Sequence, residues 1–416
     1  MVEFRSYRLD NGLRLIVHED RSTPLVAMNV LYDAGSRDED PSLTGMAHLV
    51  EHLMFGGTGN IPEYDLPLQL AGGENNAFTN NDITNYYLTL PSGNIETAFW
   101  LESDRMLAPD FTGRKLDVQK SVVIEEFKQR YLNQPYGDAM LLLRPLAYTT
   151  HPYRWPTIGI DPSHIERIRL EDVQHFFSRH YNPGKAILTL TGNITPERAY
   201  DLTKLWFGSV PPGEPHARSL PSEPVQTEER RMTVERNLPA SAIYKAWHMG
   251  SRSGRDFHTM DMITDLLAGG ESGRLYNRLV RDLNLFSEIN AYITSDLDPG
   301  LVIVTGKLMK GVNVEKAEKS VIQVIDELKD TVPTDTEIDK VKNRYESSSV
   351  LSNTSILNKA LNLSVYELLG DASRINREVE NYRAVSRPMI RDAAIRYLNP
   401  ENCSTLCYIA SKKTGK

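Results

Sequence analysis

Two histidines and a glutamate crowd into His48-Leu49-Val50-Glu51-His52. On an α-helix, residues i, i+3 and i+4 share a face, so all three side chains would project together. Neutral imidazole nitrogens suit Zn²⁺, and a carboxylate beside them can act as general base toward a water. The spacing points to metal-assisted hydrolysis. The competing reading is a pair of hydrogen-bonded structural histidines. The flanking residues favour the metal. Met46, Leu49, Val50, Leu53 and Met54 follow the period of a helix burying one face, which leaves His48, Glu51, His52 and Phe55 on the other. Gly56-Gly57 then supplies a helix stop.

Catalytic zinc takes three protein ligands and keeps one position for water. The helix-like run from Leu116 to Gln134 offers Glu125 and Glu126. Leu116, Val122, Val123, Phe127 and Tyr131 form its apolar stripe; Glu126 projects onto that stripe, and Glu125 points away beside Lys128 and Gln129. A carboxylate on a buried face needs a counter-charge, which a zinc ion or an arginine can supply.

The elements that must position these groups come from a chain of 416 residues, enough for two domains. At 40% hydrophobic and 25% charged it reads as globular. A net charge of −8 argues against nucleic acid as partner. No apolar run approaches the roughly 18 residues of a membrane span. The N-terminal residues lack the apolar core of a signal peptide, so a cytoplasmic location is expected, a periplasmic one being compatible with a removed leader. Cys403 and Cys407 read as buried free thiols.

The chain repeats itself at about 215 residues. The segment 30–37 resembles 244–252, each a strand running into Gly-Ser-Arg. Arg179-His180-Tyr181-Asn182-Pro183 resembles Arg396-Tyr397-Leu398-Asn399-Pro400, each closing a helix before an apolar strand. An α+β architecture is expected: two homologous domains, each a mainly antiparallel sheet packed with helices. The expected bounds are 1–213 and 225–416, joined by a Pro-rich linker at 214–224. The repeat sets Asp261, Thr264 and Asp265 opposite His48, Glu51 and His52, so the second half has lost the metal set. The glycine-rich 269–274 lacks the Lys-Ser/Thr of a phosphate loop and reads as a helix stop plus a turn. His151, His164, His175 and His180 have no ligand spacing and read as structural; 226–236 reads as a solvated strand edge.

Taken together, these residues resemble the pitrilysin, insulin-degrading enzyme and mitochondrial processing peptidase family of inverted-motif (H-x-x-E-H) zinc peptidases. The resemblance lies in Ala34-Gly35-Ser36, His48 to His52, Gly72-Gly73-Glu74-Asn75-Asn76-Ala77-Phe78-Thr79, Thr84-Asn85-Tyr86-Tyr87, Val122 to Glu126, and His151-Pro152-Tyr153. It implies a zinc metalloendopeptidase whose ligands are His48, His52 and Glu126, with Glu51 as general base and one Zn²⁺ per chain. It implies peptide or unfolded polypeptide as substrate. The length matches one two-domain half of the clam-shell members, and such halves pair into homodimers or heterodimers. Asn75, Asn76, Ala77, Phe78 and Thr79 can form an edge strand on which substrate pairs as an added strand, or an internal strand with a polar flank.

Two positions depart from the family pattern. Gln119 stands where a second glutamate is common; it can still hydrogen-bond an imidazole or substrate. In the second half, Arg281 fits the arginine of an arginine–tyrosine pair that steadies the oxyanion, or is a surface helix arginine; Ser287 stands where the tyrosine is expected, and Tyr292 lies further along. Losing one such donor costs about 10²–10³ in rate, which suggests a sister chain that supplies the pair. The alternative function is a non-catalytic assembly scaffold of the same fold; such relatives characteristically lose the zinc motif, which is complete here.

Overall fold

The computed structural model describes residues 1–214 and 217–411; Pro215, within the expected linker, lies outside the described residues. Two compact units form, each a sheet packed with helices, so the α+β expectation is met.

The first sheet comprises β1 (Arg5–Arg8), β2 (Arg14–Glu19), β3 (Leu25–Tyr32), β4 (Glu74–Thr79), β5 (Thr84–Pro91) and β6 (Ala186–Gly192). Its order is β1-β2-β6-β3-β5-β4. The β2–β6 pair is parallel and the others are antiparallel. β6 is buried throughout and β3 at every residue but Leu25, as strands with both faces covered must be. Side-chain alternation divides the labour. Asn29, Asn85 and Thr189 face the helix Ile356–Leu368, where the Asn29 amide donates to Ser364 Oγ at 2.8 Å. Tyr86 faces the other way, its ring 6.0 Å from that of Phe55.

The second sheet comprises β7 (Arg230–Arg236), β8 (Ala242–His248), β9 (Phe286–Ile293), β10 (Leu301–Leu308) and β11 (Cys403–Ala410). Its order, β7-β11-β8-β10-β9, reproduces the first from β2 onward, with β7 parallel to β11 as β2 is to β6. The repeated halves are thus a repeated topology. β7 is an edge strand with alternating exposure, the solvated edge expected there. Cys403 and Cys407 are buried free thiols.

The units are not contiguous in sequence. The first takes residues 1–128, 155–220 and 349–377; the second takes 129–154, 221–348 and 378–416. Each sheet is covered on one face by a helix from the other half of the chain: Ile356–Leu368 on β3 and β6, and Ala139–Ala147 on β7, β8 and β11. The division expected at 214–224 therefore needs amending, because a sheet with two apolar faces takes its second cover from wherever the chain brings one. Among the described residues no helix is long and apolar enough to cross a membrane.

Candidate metal centre

The first candidate element is the helix Met46–Met54. It is entered through Gly45 at φ +93°, where an added Cβ would stand 2.7 Å from the Ile158 carbonyl oxygen. Glu39 closes its start: the carboxylate accepts the Gly45 and Ala47 N–H groups at 2.9 Å each, satisfying two donors that no helical carbonyl reaches. Burial pushes the Glu39 carboxyl up to about 8, against the pull of those two donors and Trp155. Met46, Ala47, Leu49, Val50, Leu53 and Met54 are buried, and His48, Glu51 and His52 lie together on the half-open face.

The second element is the helix Gly113–Phe127, capped by Thr112, whose hydroxyl accepts the Lys115 N–H. It is shorter than expected. At Lys128 it passes into a π-helical turn, Lys128–Leu132, where the chain leaves the first unit. The buried seam is Leu116, Val123 and Phe127. Val122 is 45% exposed and Tyr131 half-buried, so neither belongs to it. Glu125 points to solvent and Glu126 is half-buried.

These two helices bring three ligand-capable atoms together. Glu126 Oε2 lies 3.5 Å from His52 Nε2 and 3.8 Å from His48 Nε2. The three atoms fall within 4.8 Å of one another, the one such cluster among the described residues. The gaps exceed an N–H···O bond of about 2.9 Å. They approach the roughly 3.4 Å that separates two ligands each about 2.1 Å from a tetrahedral ion. Two imidazoles and one carboxylate are a zinc donor set that leaves a fourth position open. The residues fit the ion.

Around this cluster the electrostatics are strongly coupled. Burial alone lowers the His52 imidazole, but Glu126, Glu51 and a hydrogen bond that the ring donates to the Gln119 amide oxygen outweigh it and the net shift is upward. Gln119 thus reaches the His52 imidazole, as its helical phase suggested. Burial raises the Glu51 carboxyl, although Thr79 and His52 pull the other way. Thr79 Oγ1 donates to Glu51 Oε2 at 2.5 Å. Thr79 ends β4, which among the described residues pairs with β5 alone and forms the edge of its sheet. Asn75, Asn76, Ala77, Phe78 and Thr79 therefore lie on an edge strand rather than an internal one, in the same unit as the metal cluster.

The second unit places the remaining candidates. Arg281 is exposed and pairs with Asp282 at 3.1 Å. Ser287 Oγ donates to the Lys307 carbonyl at 3.2 Å, and Tyr292 is half-buried against an apolar cluster. On the helix Phe257–Ala268, Asp261 accepts the Tyr382 hydroxyl at 2.5 Å and Asp265 pairs with Arg344 at 3.3 Å. The face that would carry a second metal set is closed by a tyrosine and an arginine. His164 bonds Thr44, and burial drops the His180 imidazole to about 4, both structural placements. Glu39 is the residue that reading the sequence missed. It lies six residues before Gly45, outside the S/T-x-x-E spacing that marks a capping box.

Comparison with known proteins gives the chain's relatives. Residues 14–144 match the family described as Insulinase (Peptidase family M16), and residues 167–345 match the Peptidase M16 inactive domain. Zinc protease PqqE of Helicobacter pylori is 28% identical over 81% of this chain and 77% of its own length. An uncharacterized zinc protease of Bacillus subtilis, YmxG, is 23% identical over 94% of each. The crystal structure of a protease from Helicobacter pylori superposes with a TM-score of 0.91 at 25% identity, covering 98% of this chain and all of that one.

Proposed function

This chain belongs to the insulinase (M16) family of peptidases, and from that membership we propose that it is a zinc metalloendopeptidase acting on peptides or unfolded polypeptide segments. The observation that carries the proposal is the convergence of His48, His52 and Glu126 beside Glu51 on one half-open face. His48, His52 and Glu126 would hold the ion. When bound, zinc supplies Lewis acidity to a substrate carbonyl and to water.

The chain's own residues do the rest. Glu51 takes the proton of the attacking water and hands it to the departing amine. A carboxyl raised by burial suits a base that must then hold that proton. Gln119 orients the His52 ring. The edge of β4 gives an extended peptide a row of backbone partners at Asn75 to Thr79, which tolerates many sequences.

With Ser287 where the family tyrosine would stand, Arg281 lacks its companion, and we read the chain as a zinc-bearing subunit that pairs with a second copy or with a sister chain supplying an arginine–tyrosine pair. The test is cleavage of a quenched, unstructured peptide by the zinc-loaded chain, with Glu51→Gln as the blank. Turnover that Glu51→Gln abolishes while zinc stays bound supports a self-sufficient peptidase. Bound zinc without turnover, repaired by a sister chain, supports the paired form. A chain that takes up no zinc refutes both.

A further inference from the structure

We propose that the Thr79 hydroxyl is a positioning group for Glu51, so that alignment of the general base follows from the strand on which substrate lies; this rests on the peptidase reading above.

Thr79 is the last residue of β4 and stands opposite Thr84 in the β4–β5 register. Its Oγ1 donates to Glu51 Oε2 at 2.5 Å. The proton inventory around it is constrained. Thr84 Oγ1 donates its single proton to the Ala34 carbonyl at 2.9 Å. It must then accept from the Tyr181 hydroxyl, also at 2.9 Å, and has no proton left for Thr79, 3.5 Å away. Thr84 and Tyr181 form a buried floor, and Thr79 is the hydroxyl of this row that can donate to the carboxylate. Holding Oε2 leaves Oε1 to exchange the proton with water and amine. β4 is fixed on one side by β5 and, as an edge strand, open to pairing on the other. A peptide paired along it would order the strand up to Thr79 and, through that hydroxyl, the base.

Removing the donor should therefore damage turnover rather than binding. Thr79→Val, nearly isosteric, is expected to lower kcat about tenfold to a hundredfold, the range for a hydrogen bond to a charged acceptor. KM, zinc content and the unfolding temperature should hold, and Thr79→Ser should restore most of kcat. A role in strand packing alone would move KM or stability and would not be rescued by serine. The second readout needs no turnover: calorimetric binding to the zinc-loaded chain of a peptide hydroxamate, which hydrogen-bonds to Glu51 and so reports where that carboxylate is held. Thr79→Val should weaken it by a similar factor and Thr79→Ser should not. Wild-type kcat and hydroxamate affinity in Thr79→Val would overturn the proposal, as would a serine variant as poor as the valine one. If the wild-type chain binds zinc and hydroxamate without cleaving peptide, the peptidase reading of the isolated chain fails, and the hydroxamate comparison still decides the role of Thr79.

Discussion

At the scale of single residues, the candidate site turns on which of two adjacent glutamates faces the histidines. Helical phase separates them by about 100°. That is enough to send Glu125 to solvent and bring Glu126 within 3.5 Å of His52 Nε2. The expected consequence is a sharp asymmetry. Glu126→Gln should cut zinc bound after dialysis from about one ion per chain to near none, because a neutral amide is a poor zinc ligand. Glu125→Gln should leave zinc content unchanged. Equal loss in both, measured by atomic absorption, would remove Glu126 from the ligand set. This choice was legible in the sequence because it depends on local geometry. The error at Val122 has the same origin. Positions 119, 122 and 126 share a face, so Val122 goes with Gln119 and Glu126 to the half-open side, while Leu116, Val123 and Phe127 form the seam. Apolar character alone did not distinguish seam from rim.

At the scale of elements, the helix Met46–Met54 was visible from its periodicity, and its anchor was not. The cap is a carboxylate delivered from a preceding turn, a tertiary contact with no fixed spacing. Its chemistry predicts a pH dependence. The Glu39 carboxyl is raised from 4.5 in its ordinary state to about 8 in the fold. A raised carboxyl binds protons more readily folded than unfolded. Its contribution is therefore fully present below about 4.5, declines as pH rises, and is lost through about 8. Glu39→Gln cannot ionise and should not show this loss. In the metal-free protein, the unfolding temperature of Glu39→Gln minus that of wild type should climb steadily from pH 5 to pH 8.5. A difference that stays flat over that interval would mean the two N–H donors hold Glu39 ionised throughout. The counterpart helix Phe257–Ala268 shows what becomes of such a face without the metal set: Asp261 and Asp265 persist as acceptors for Tyr382 and Arg344.

At the scale of the whole molecule, the two-fold repeat was readable and the exchange of segments was not. Amphipathic periodicity tells a helix to bury a face but not which sheet will cover it. The helix Ile356–Leu368 buries Ala360, Leu363 and Ser364 in the first unit although it follows the Pro-rich stretch by more than a hundred residues. There Leu363 joins an apolar cluster with Ile16, Leu31 and Ile187, and Ser364 serves Asn29 and Thr189. A fragment ending at the linker would keep every candidate zinc ligand and lose this cover. It would expose an apolar sheet face to water, losing the burial that stabilises it, and would exchange the Asn29–Ser364 hydrogen bond for one to solvent. Fragment 1–213 expressed alone should therefore bind the dye ANS, unfold without a cooperative transition and hold zinc poorly. Supplying residues 349–377 in trans should restore cooperativity and zinc together. If fragment 1–213 instead folds cooperatively with zinc bound, the contiguous division is the working domain after all, and the borrowed helix is a decoration on a sheet that does not need it.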